Sequence, residues 1–197
     1  MKFKIFKFEN VTSTNDVAID MIKKEKRLSG YVYSSAQKKG RGTHGKEWIS
    51  QKGNLFGSLF FLLKKNYPSV KEFAIINPII ISEVIKKFCY NKKLNLKFPN
   101  DIYVSKKKIC GILQEVITLK DMHFLIIGIG INIVTNPNIN EKYQATNIFK
   151  ESNKKPNIEE INELIISSYE KFFNEINSYN YINFKKKAAL MSESLIQ

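Results

Sequence analysis

The sequence contains few of the residues that build metal sites and disulfide frameworks. Its 197 residues include two histidines and two cysteines, Cys89 and Cys110, which lie too far apart for a C-x-x-C pair. So few ligands do not make up a structural zinc site, and unpaired cysteines are typical of a reducing compartment. We therefore predict no metal held by the protein's own side chains.

Long hydrophobic runs are also missing. The longest apolar stretch, residues 73–85, is interrupted by polar residues and a proline, whereas a membrane-spanning helix needs ~20 apolar residues. The first ten residues alternate lysine with phenylalanine and lack the apolar core of a signal peptide. We expect no membrane association and a cytoplasmic location.

Arginine is scarce, although the formal net charge is +14. Only Arg27 and Arg41 are arginines among the 32 basic residues. Clustered cations favour nucleic acids through counterion release, but nucleic-acid readers prefer arginine for its bidentate fork. Lysine, asparagine and isoleucine share A/T-rich codons, so the lysine excess also fits genome composition. We favour a solvated lysine surface, with an acidic protein as the next partner to consider.

Hydrophobic periodicity predicts an α+β fold around a mixed β-sheet. Of the residues, 43% are hydrophobic, which with this length is typical of a single globular domain. Capping-box patterns begin at Ser13 and Ser69, each ahead of a helical stripe. We predict strands at residues 2–11, 31–36, 54–63, 94–98, 102–104, 109–119 and 123–134, and helices at 15–26, from Ser69 to about 90, 158–176 and 181–190.

Residues 37–53 form a long polar, glycine-rich segment without helical or strand periodicity. Residues 40–45 match G-x-G-x-x-G, but no helical stripe follows and no acidic residue lies at the expected distance, which argues against a dinucleotide-binding turn. Loops longer than ~12–15 residues tend to be lids or binding segments. Glycines, Arg41 and Lys46 fit a loop that folds over an anionic ligand.

Three further segments carry polar residues next to predicted strands. In residues 97–101, Pro99-Asn100-Asp101 taken alone is a common turn. Lys108 precedes an apolar strand containing Gly111, which fits either a rigidly placed cation or a lysine-rich hairpin turn. In residues 128–132, alternate glycines leave one sheet face bare for a ligand or a tightly packed helix.

Taken in order, these segments resemble the catalytic core of biotin protein ligases. The residues that carry the likeness are Ser13-Thr14-Asn15, Gln37 with Gly40-Arg41-Gly42, Gly45 and Trp48, Gly53-Asn54-Leu55, Lys97-x-Pro99-Asn100-Asp101, Lys108-x-x-Gly111-Ile112-Leu113, and Gly128-x-Gly130-Ile131-Asn132. The resemblance implies a class II aminoacyl-tRNA synthetase-like domain. It also implies two reaction steps: biotin and MgATP give biotinyl-5′-adenylate and pyrophosphate, and then a lysine of a biotin carboxyl carrier protein accepts the biotinyl group.

The resemblance assigns roles to individual positions. Lys108, Arg41 and Asp101 are the expected catalytic residues: Lys108 matches the essential lysine, Arg41 and the loop amides hold the biotin carboxylate and the phosphate, and Asp101 takes a proton from the acceptor amine. Biotin binding is expected at Ser13, Thr14, Asn15, Gln37, Gly40, Arg41, Gly42, Lys108, Gly111 and Gly130. ATP or adenylate binding is expected at Arg41, Lys46, Trp48, Asn100, Lys108 and Asn132, with Trp48 as an apolar wall.

The sequence departs from the family pattern at several places. Thr43 stands where the family often has arginine, so we expect a weaker grip on the phosphate. Phe98 stands where tryptophan is usual, which keeps an aromatic wall but removes an indole donor. We expect residues 1–197 to be a single catalytic domain without a winged-helix segment, and hence without repressor activity, and without the C-terminal barrel-like domain. A homodimer is possible by resemblance.

Other functions remain open at this stage. A lipoate or octanoate transferase has a related fold and also modifies a carrier lysine, but lacks the Gly-Arg-Gly loop together with Lys-x-Pro-Asn-Asp. A basic nucleic-acid-binding domain would present aromatic and cationic residues on one face, whereas Phe172 and Phe173 lie at core-periodic positions. A biotin-binding module without catalysis is the third alternative.

Overall fold

The computed structural model describes residues 1–137 and 144–193. Seven strands and five helices follow one another along the chain. In order they are β1 (Ile5–Val11), α1 (Thr14–Lys23), β2 (Ser29–Gln37), β3 (Leu55–Leu62), α2 (Val70–Phe88), β4 (Leu94–Lys97), β5 (Asp101–Val104), β6 (Lys107–Leu119), β7 (Met122–Ile131), α3 (Ile148–Ser152), α4 (Ile158–Asn174) and α5 (Tyr181–Glu193).

All seven strands form one mixed sheet in the order β1-β2-β3-β7-β6-β5-β4. Strands β1 and β2 are parallel, since α1 connects them, and every other neighbouring pair is antiparallel. The predicted α+β fold with a mixed sheet is therefore confirmed. No helix in the described part of the chain has the length and apolarity needed to cross a membrane.

Strand β7 shows how the two faces of the sheet are used. Side chains alternate between the faces of a strand, and the apolar residues Leu125, Ile127, Ile129 and Ile131 pack in the larger core with α2 and α4. Phe124 and Ile126 point to the opposite face and pack beneath α1. Gly128 and Gly130 continue that second row: Asn15 at the start of α1 packs against Gly128, and the Trp48 ring packs against Gly130. The alternation thus leaves a recess on the α1 side of the sheet.

The two predicted capping boxes have different outcomes. At Ser69 the box is present, because Ser69 accepts from the Glu72 amide and the Glu72 carboxylate accepts from the Ser69 amide. At Ser13 the prediction is wrong: Ser13 is the N-cap residue of α1, but its hydroxyl makes no capping hydrogen bond. The Asp16 carboxylate that would close this box contacts the Arg41 guanidinium at 2.9 Å instead, and the Gln37 side chain accepts from the neighbouring Thr14 amide at 2.9 Å. Tertiary contacts therefore hold the start of α1.

Most predicted elements are confirmed within a few residues at their ends. Helix α3 was missed, because five residues are too few for helical periodicity to show. Residues 37–53 are irregular as predicted, apart from a short 3-10 turn at Thr43–Gly45 and an isolated bridge between Arg41 and Glu47. The next element after Gly45 is strand β3 and not an α-helix, which agrees with the exclusion of a dinucleotide-binding turn.

Candidate active site

A cavity of about 720 Å³ lies in the recess on the α1 side of the sheet. Its walls come from the start of α1, the loop 37–53, and strands β5, β6 and β7. The sequence-predicted site residues that line it are Ser13, Thr14, Asn15, Gln37, Arg41, Gly42, Lys46, Trp48, Asn100, Asp101, Lys108, Gly111, Gly130 and Asn132. Gly40 is the one predicted site residue that does not line the cavity. The fold therefore gathers segments that are distant in sequence around one space.

Gly40 closes the base of the loop. An added Cβ there would lie 2.5 Å from both the Ser50 hydroxyl and the Trp48 carbonyl. The Trp48 amide donates to the Gly40 carbonyl at 2.9 Å, so the two ends of the loop meet at this point. A glycine at position 40 allows this close approach of two backbone segments.

One end of the cavity is a neutral network of hydroxyl and amide groups, which we call the neutral end: Thr14, Asn15, Gln37 and Ser58. The Gln37 carbonyl oxygen accepts from the Thr14 amide and hydroxyl at 2.9 and 3.2 Å. The Ser58 hydroxyl lies within hydrogen-bond distance of the Thr14 hydroxyl and the Asn15 carbonyl oxygen. Thr14, Asn15 and Ser58 are all buried, so these groups are held rigidly and with few rotamers to choose from.

Two serines of this network were missed by sequence reasoning. Ser58 lies in the middle of β3 among apolar neighbours, and Ser50 lies in the loop, where its hydroxyl accepts from Gln37 at 3.0 Å and donates to the Trp48 carbonyl at 3.1 Å. A polar residue inside an apolar strand was the available signal for Ser58, because buried hydroxyls need partners. Nothing in the sequence distinguishes Ser50 from other loop residues.

The other end of the cavity, which we call the charged end, contains Lys108, Asp101 and Trp48. The Lys108 ammonium and an Asp101 carboxylate oxygen are 2.7 Å apart, with 11% and 17% of the two side chains exposed. Adjacent strands β5 and β6 supply the pair. The backbone of Lys108 is also fixed, since its amide donates to the Gln144 carbonyl and its carbonyl accepts from the Thr146 amide. Lys108 is thus a rigidly placed cation, as predicted, and not part of a hairpin turn.

The face left bare by glycines holds the start of α1 at Gly128, where Asn15 packs, and the side chain of Trp48 at Gly130. Gly111 and Gly130 are opposite each other on β6 and β7, and the indole ring contacts both. The Lys108 ammonium lies 5.4 Å from the centroid of the ring, a distance typical of a cation–π contact. Trp48 therefore forms one wall of the cavity.

Arg41 is engaged by two carboxylates. Its guanidinium contacts Asp16 of α1 at 2.9 Å and Glu115 of β6 at 2.7 Å, and the Asn15 amide donates to the same Glu115 oxygen at 2.6 Å. An anionic ligand at Arg41 has to compete with these two carboxylates. The structure gives Arg41 a further role, because it ties the loop to both a helix and a strand.

The remaining predicted residues are placed by backbone contacts. The Asn100 carbonyl accepts from the Ile112 amide at 2.8 Å, and the Asn132 side chain donates to the Thr146 carbonyl at 3.0 Å. Phe98 is exposed and does not line the cavity, so it is not the expected aromatic wall. The preceding residue, Lys97, lines the cavity instead. Burial raises the pKa of the Cys110 thiol and keeps it neutral beside Lys108.

Residues 7–132 match the biotin/lipoate A/B protein ligase family. The chain belongs to this family. It is 33% identical over 126 residues to the bifunctional ligase/repressor BirA of Escherichia coli strain K12, covering 62% of this chain and 38% of BirA. It is 26% identical over 128 residues to the biotin--[acetyl-CoA-carboxylase] ligase of Paracoccus denitrificans, covering 63% of this chain and 53% of that ligase. The chain thus spans about half or less of these family members.

Solved structures of the same family share the fold. The biotin protein ligase of Aquifex aeolicus in complex with biotin and ATP has a TM-score of 0.79 and 26% identity, over 96% of this chain and 78% of that one. The Leishmania major ligase in complex with biotinyl-5-AMP has a TM-score of 0.83 and 26% identity, over 98% and 83% of the two chains. These matches confirm the predicted biotin ligase type of catalytic fold.

Proposed function

We propose that the protein is an ATP-dependent biotin ligase, which forms biotinyl-5′-adenylate and transfers biotin to a lysine of a biotin carboxyl carrier protein. The observation that carries the proposal is the cavity with two unlike ends. The neutral end offers hydrogen bonds that suit an uncharged polar ring. The charged end contains Lys108 and Asp101, whose side chains are 2.7 Å apart, and it suits a carboxylate that must react. Relatives in complex with biotin, ATP and biotinyl-5-AMP support the same substrates.

In the first step, a carboxylate oxygen of biotin attacks the α-phosphorus of ATP, and pyrophosphate leaves. Two anions come together, so a fixed cation must stabilise the charge that accumulates. Lys108 is that cation. At ~4 Å and an effective dielectric constant of ~20, one such contact is worth ~4 kcal/mol before desolvation is subtracted. Magnesium enters with the ATP phosphates as part of the substrate.

In the second step, the amine of the acceptor lysine attacks the acyl carbonyl, the bond to the phosphate oxygen breaks, and AMP leaves. The amine must first lose a proton, because the reference pKa of lysine is ~10.4. We assign Asp101 as the carboxylate that accepts that proton, because its side chain lies at the charged end of the cavity, 2.7 Å from the Lys108 ammonium.

The neutral end selects the acid. Thr14, Asn15 and Gln37, with Ser13 beside them, line the cavity with donors and acceptors that can exchange hydrogen bonds with a cyclic urea. An alkyl chain offers them no such exchange and would bury their polar surface without compensation, so an octanoyl group is disfavoured there. The loop 37–53 then covers the ligand and protects the mixed anhydride from water.

Biotin-dependent exchange of labelled pyrophosphate into ATP tests the first step without a carrier protein. We expect exchange with biotin, and none above background with lipoate or octanoate. Exchange with lipoate and not with biotin would identify the protein as a lipoate ligase of the same family. Binding of biotin without any exchange would identify a binding module, and the ligase proposal would fail.

Transfer is tested separately. Incubation with biotin, MgATP and the biotin carboxyl domain of a carboxylase should attach one biotin, detected as a mass increase of that domain. A carrier domain whose acceptor lysine is replaced by arginine should stay unmodified. Equal labelling of both carriers would contradict the proposed second step.

A further inference from the structure

The indole of Trp48 is held in one position by the two glycines beneath it. A Cβ added at Gly111 would lie 2.6 Å from Cζ3 of the ring, and a Cβ added at Gly130 would meet the ring closer still, at Cε2. Such distances are shorter than any real contact, so only glycine fits under the ring. Because Gly111 and Gly130 are paired across β6 and β7, they support the ring along its length.

The indole N–H of Trp48 is buried in the wall of the cavity. Among the described residues, it has no hydrogen-bond partner. Indole nitrogen can only donate, and buried tryptophans usually find a partner for this group. If Trp48 served only as an apolar wall, phenylalanine would do the same without this buried donor.

The Trp48 nitrogen shares its part of the cavity with a cation. The Lys108 ammonium lies 5.4 Å from the ring centroid, and both residues line the same space with Asn132. Two donors close together on one wall favour an oxygen anion as their common acceptor. A neutral acceptor fits this pair less well, since Lys108 carries a full charge.

We propose that the Trp48 indole N–H donates a hydrogen bond to an anionic oxygen of the bound substrate, either the carboxylate of the acid or the phosphate of the adenylate. Trp48 is then a binding residue at the charged end. This inference rests on the proposed ligase function, because that function supplies both oxygens. It adds a directional contact that helps to orient the carboxylate for attack on phosphorus.

The single tryptophan of the chain makes the test direct. Uniformly ¹⁵N-labelled protein should give one indole resonance in a ¹H–¹⁵N spectrum. We expect the indole proton to move downfield on addition of a non-hydrolysable biotinyl-adenylate analogue. A downfield shift with biotin alone assigns the carboxylate as acceptor, and a shift only with the analogue assigns the phosphate.

Replacing the indole N–H of Trp48 measures how much this hydrogen bond contributes to the binding of the analogue. Biosynthetic incorporation of benzothienylalanine replaces the N–H of Trp48 by sulfur and keeps the shape of the ring. We expect the analogue to bind ~10-fold more weakly, which corresponds to ~1.4 kcal/mol. The variant Trp48→Phe removes the donor as well, and urea unfolding shows whether each protein remains folded.

The outcomes separate this inference from the proposed function. If the analogue binds the native protein but leaves the indole proton in place, and the benzothienylalanine protein binds it equally well, Trp48 is only a wall and the ligase proposal stands. If neither biotin nor the analogue binds the native protein, the ligase proposal fails and this inference fails with it.

Discussion

The two ends of the cavity are built from different chemistry. The neutral end consists of uncharged hydroxyl and amide groups, with the Ser58 hydroxyl fully buried beneath Thr14 and Asn15 and the Asn15 amide donating to Glu115. The charged end consists of a buried ion pair, Lys108 with Asp101, beside an aromatic ring. Helix α1 and strands β2 and β3 build the first end, whereas β5, β6 and the loop build the second.

The difference teaches how binding and reaction are divided. Groups that contact the unreactive part of a substrate in the same way before and during reaction change its affinity, and groups that meet developing charge change the rate. Changes at the neutral end should therefore appear mainly in KM, and changes at the charged end mainly in kcat. The Lys108 and Ser58 predictions below test that division, and the others test the contacts that hold the charged end and the loop in place.

The largest effect is expected for Lys108→Ala. Loss of the cation should reduce pyrophosphate exchange by at least ~100-fold, which corresponds to ~2.7 kcal/mol of transition-state stabilisation. Lys107→Ala is the matched control, because it removes the same charge from the preceding, more exposed position of β6. Normal exchange by the Lys108 variant would show that this residue does not stabilise the reacting phosphate.

The next effect is expected for Gly130→Ala. The new methyl group meets the Trp48 ring, and such overpacking costs ~1–3 kcal/mol. Urea unfolding measures the loss. In a Trp48→Ala background the same substitution should cost little, because the ring atoms that it meets are gone. An equal cost in both backgrounds would mean that Trp48 does not lie on Gly130 in solution.

A smaller effect is expected for Ser58→Ala at the neutral end. The change leaves Thr14 and Asn15 without one buried partner, which costs ~1–3 kcal/mol. Biotin affinity by calorimetry should fall, while kcat at saturating biotin stays near the native value. Ser82→Ala is the control, since that buried hydroxyl bonds only within α2 and to Met191. A drop in kcat with unchanged affinity would break the proposed division.

The smallest effect is expected for Glu115→Gln, which weakens the tie between the loop and the sheet. The Arg41 and Glu115 side chains are 40% and 30% exposed, so solvent screening limits the contribution to ~0.2–1 kcal/mol. Trypsin should cleave the loop 37–53 a few-fold faster. Asp20→Asn, which removes an exposed ion pair within α1, serves as control. Identical cleavage of the variant and the native protein would show that the Arg41–Glu115 ion pair does not hold the loop on the sheet.

Ligands provide a second measurement on the same loop. Biotin with ATP should slow its cleavage by trypsin in the native protein, because the loop then packs over the substrate. Cleavage at the same rate with and without ligands would contradict the closing loop and leave the chemistry of the charged end untouched.

Local patterns predicted much of the fold. Alternation marked the strands and a stripe marked α4, because side-chain direction follows backbone geometry with periods of 2 and 3.6. The Ser69 capping box was predicted for the same reason: donor and acceptor are three residues apart. The Ser13 capping box failed because the Asp16 carboxylate that would close it pairs with Arg41, which is remote in sequence. The local capping preference at Ser13 was overridden by a contact between residues that are distant in sequence, which local patterns cannot predict.

The sequence by itself determined which chemistry the protein carries: a polar glycine-rich loop, a lysine at the head of a strand and a pair of alternate glycines. Only the tertiary structure decided which of these groups meet. It joined Arg41 to Glu115 across 74 positions and laid Trp48 on Gly130 and on Gly111 of the neighbouring strand. The physical reason is that composition and periodicity act over one or two turns of chain, whereas strand order and register set the distances between remote side chains.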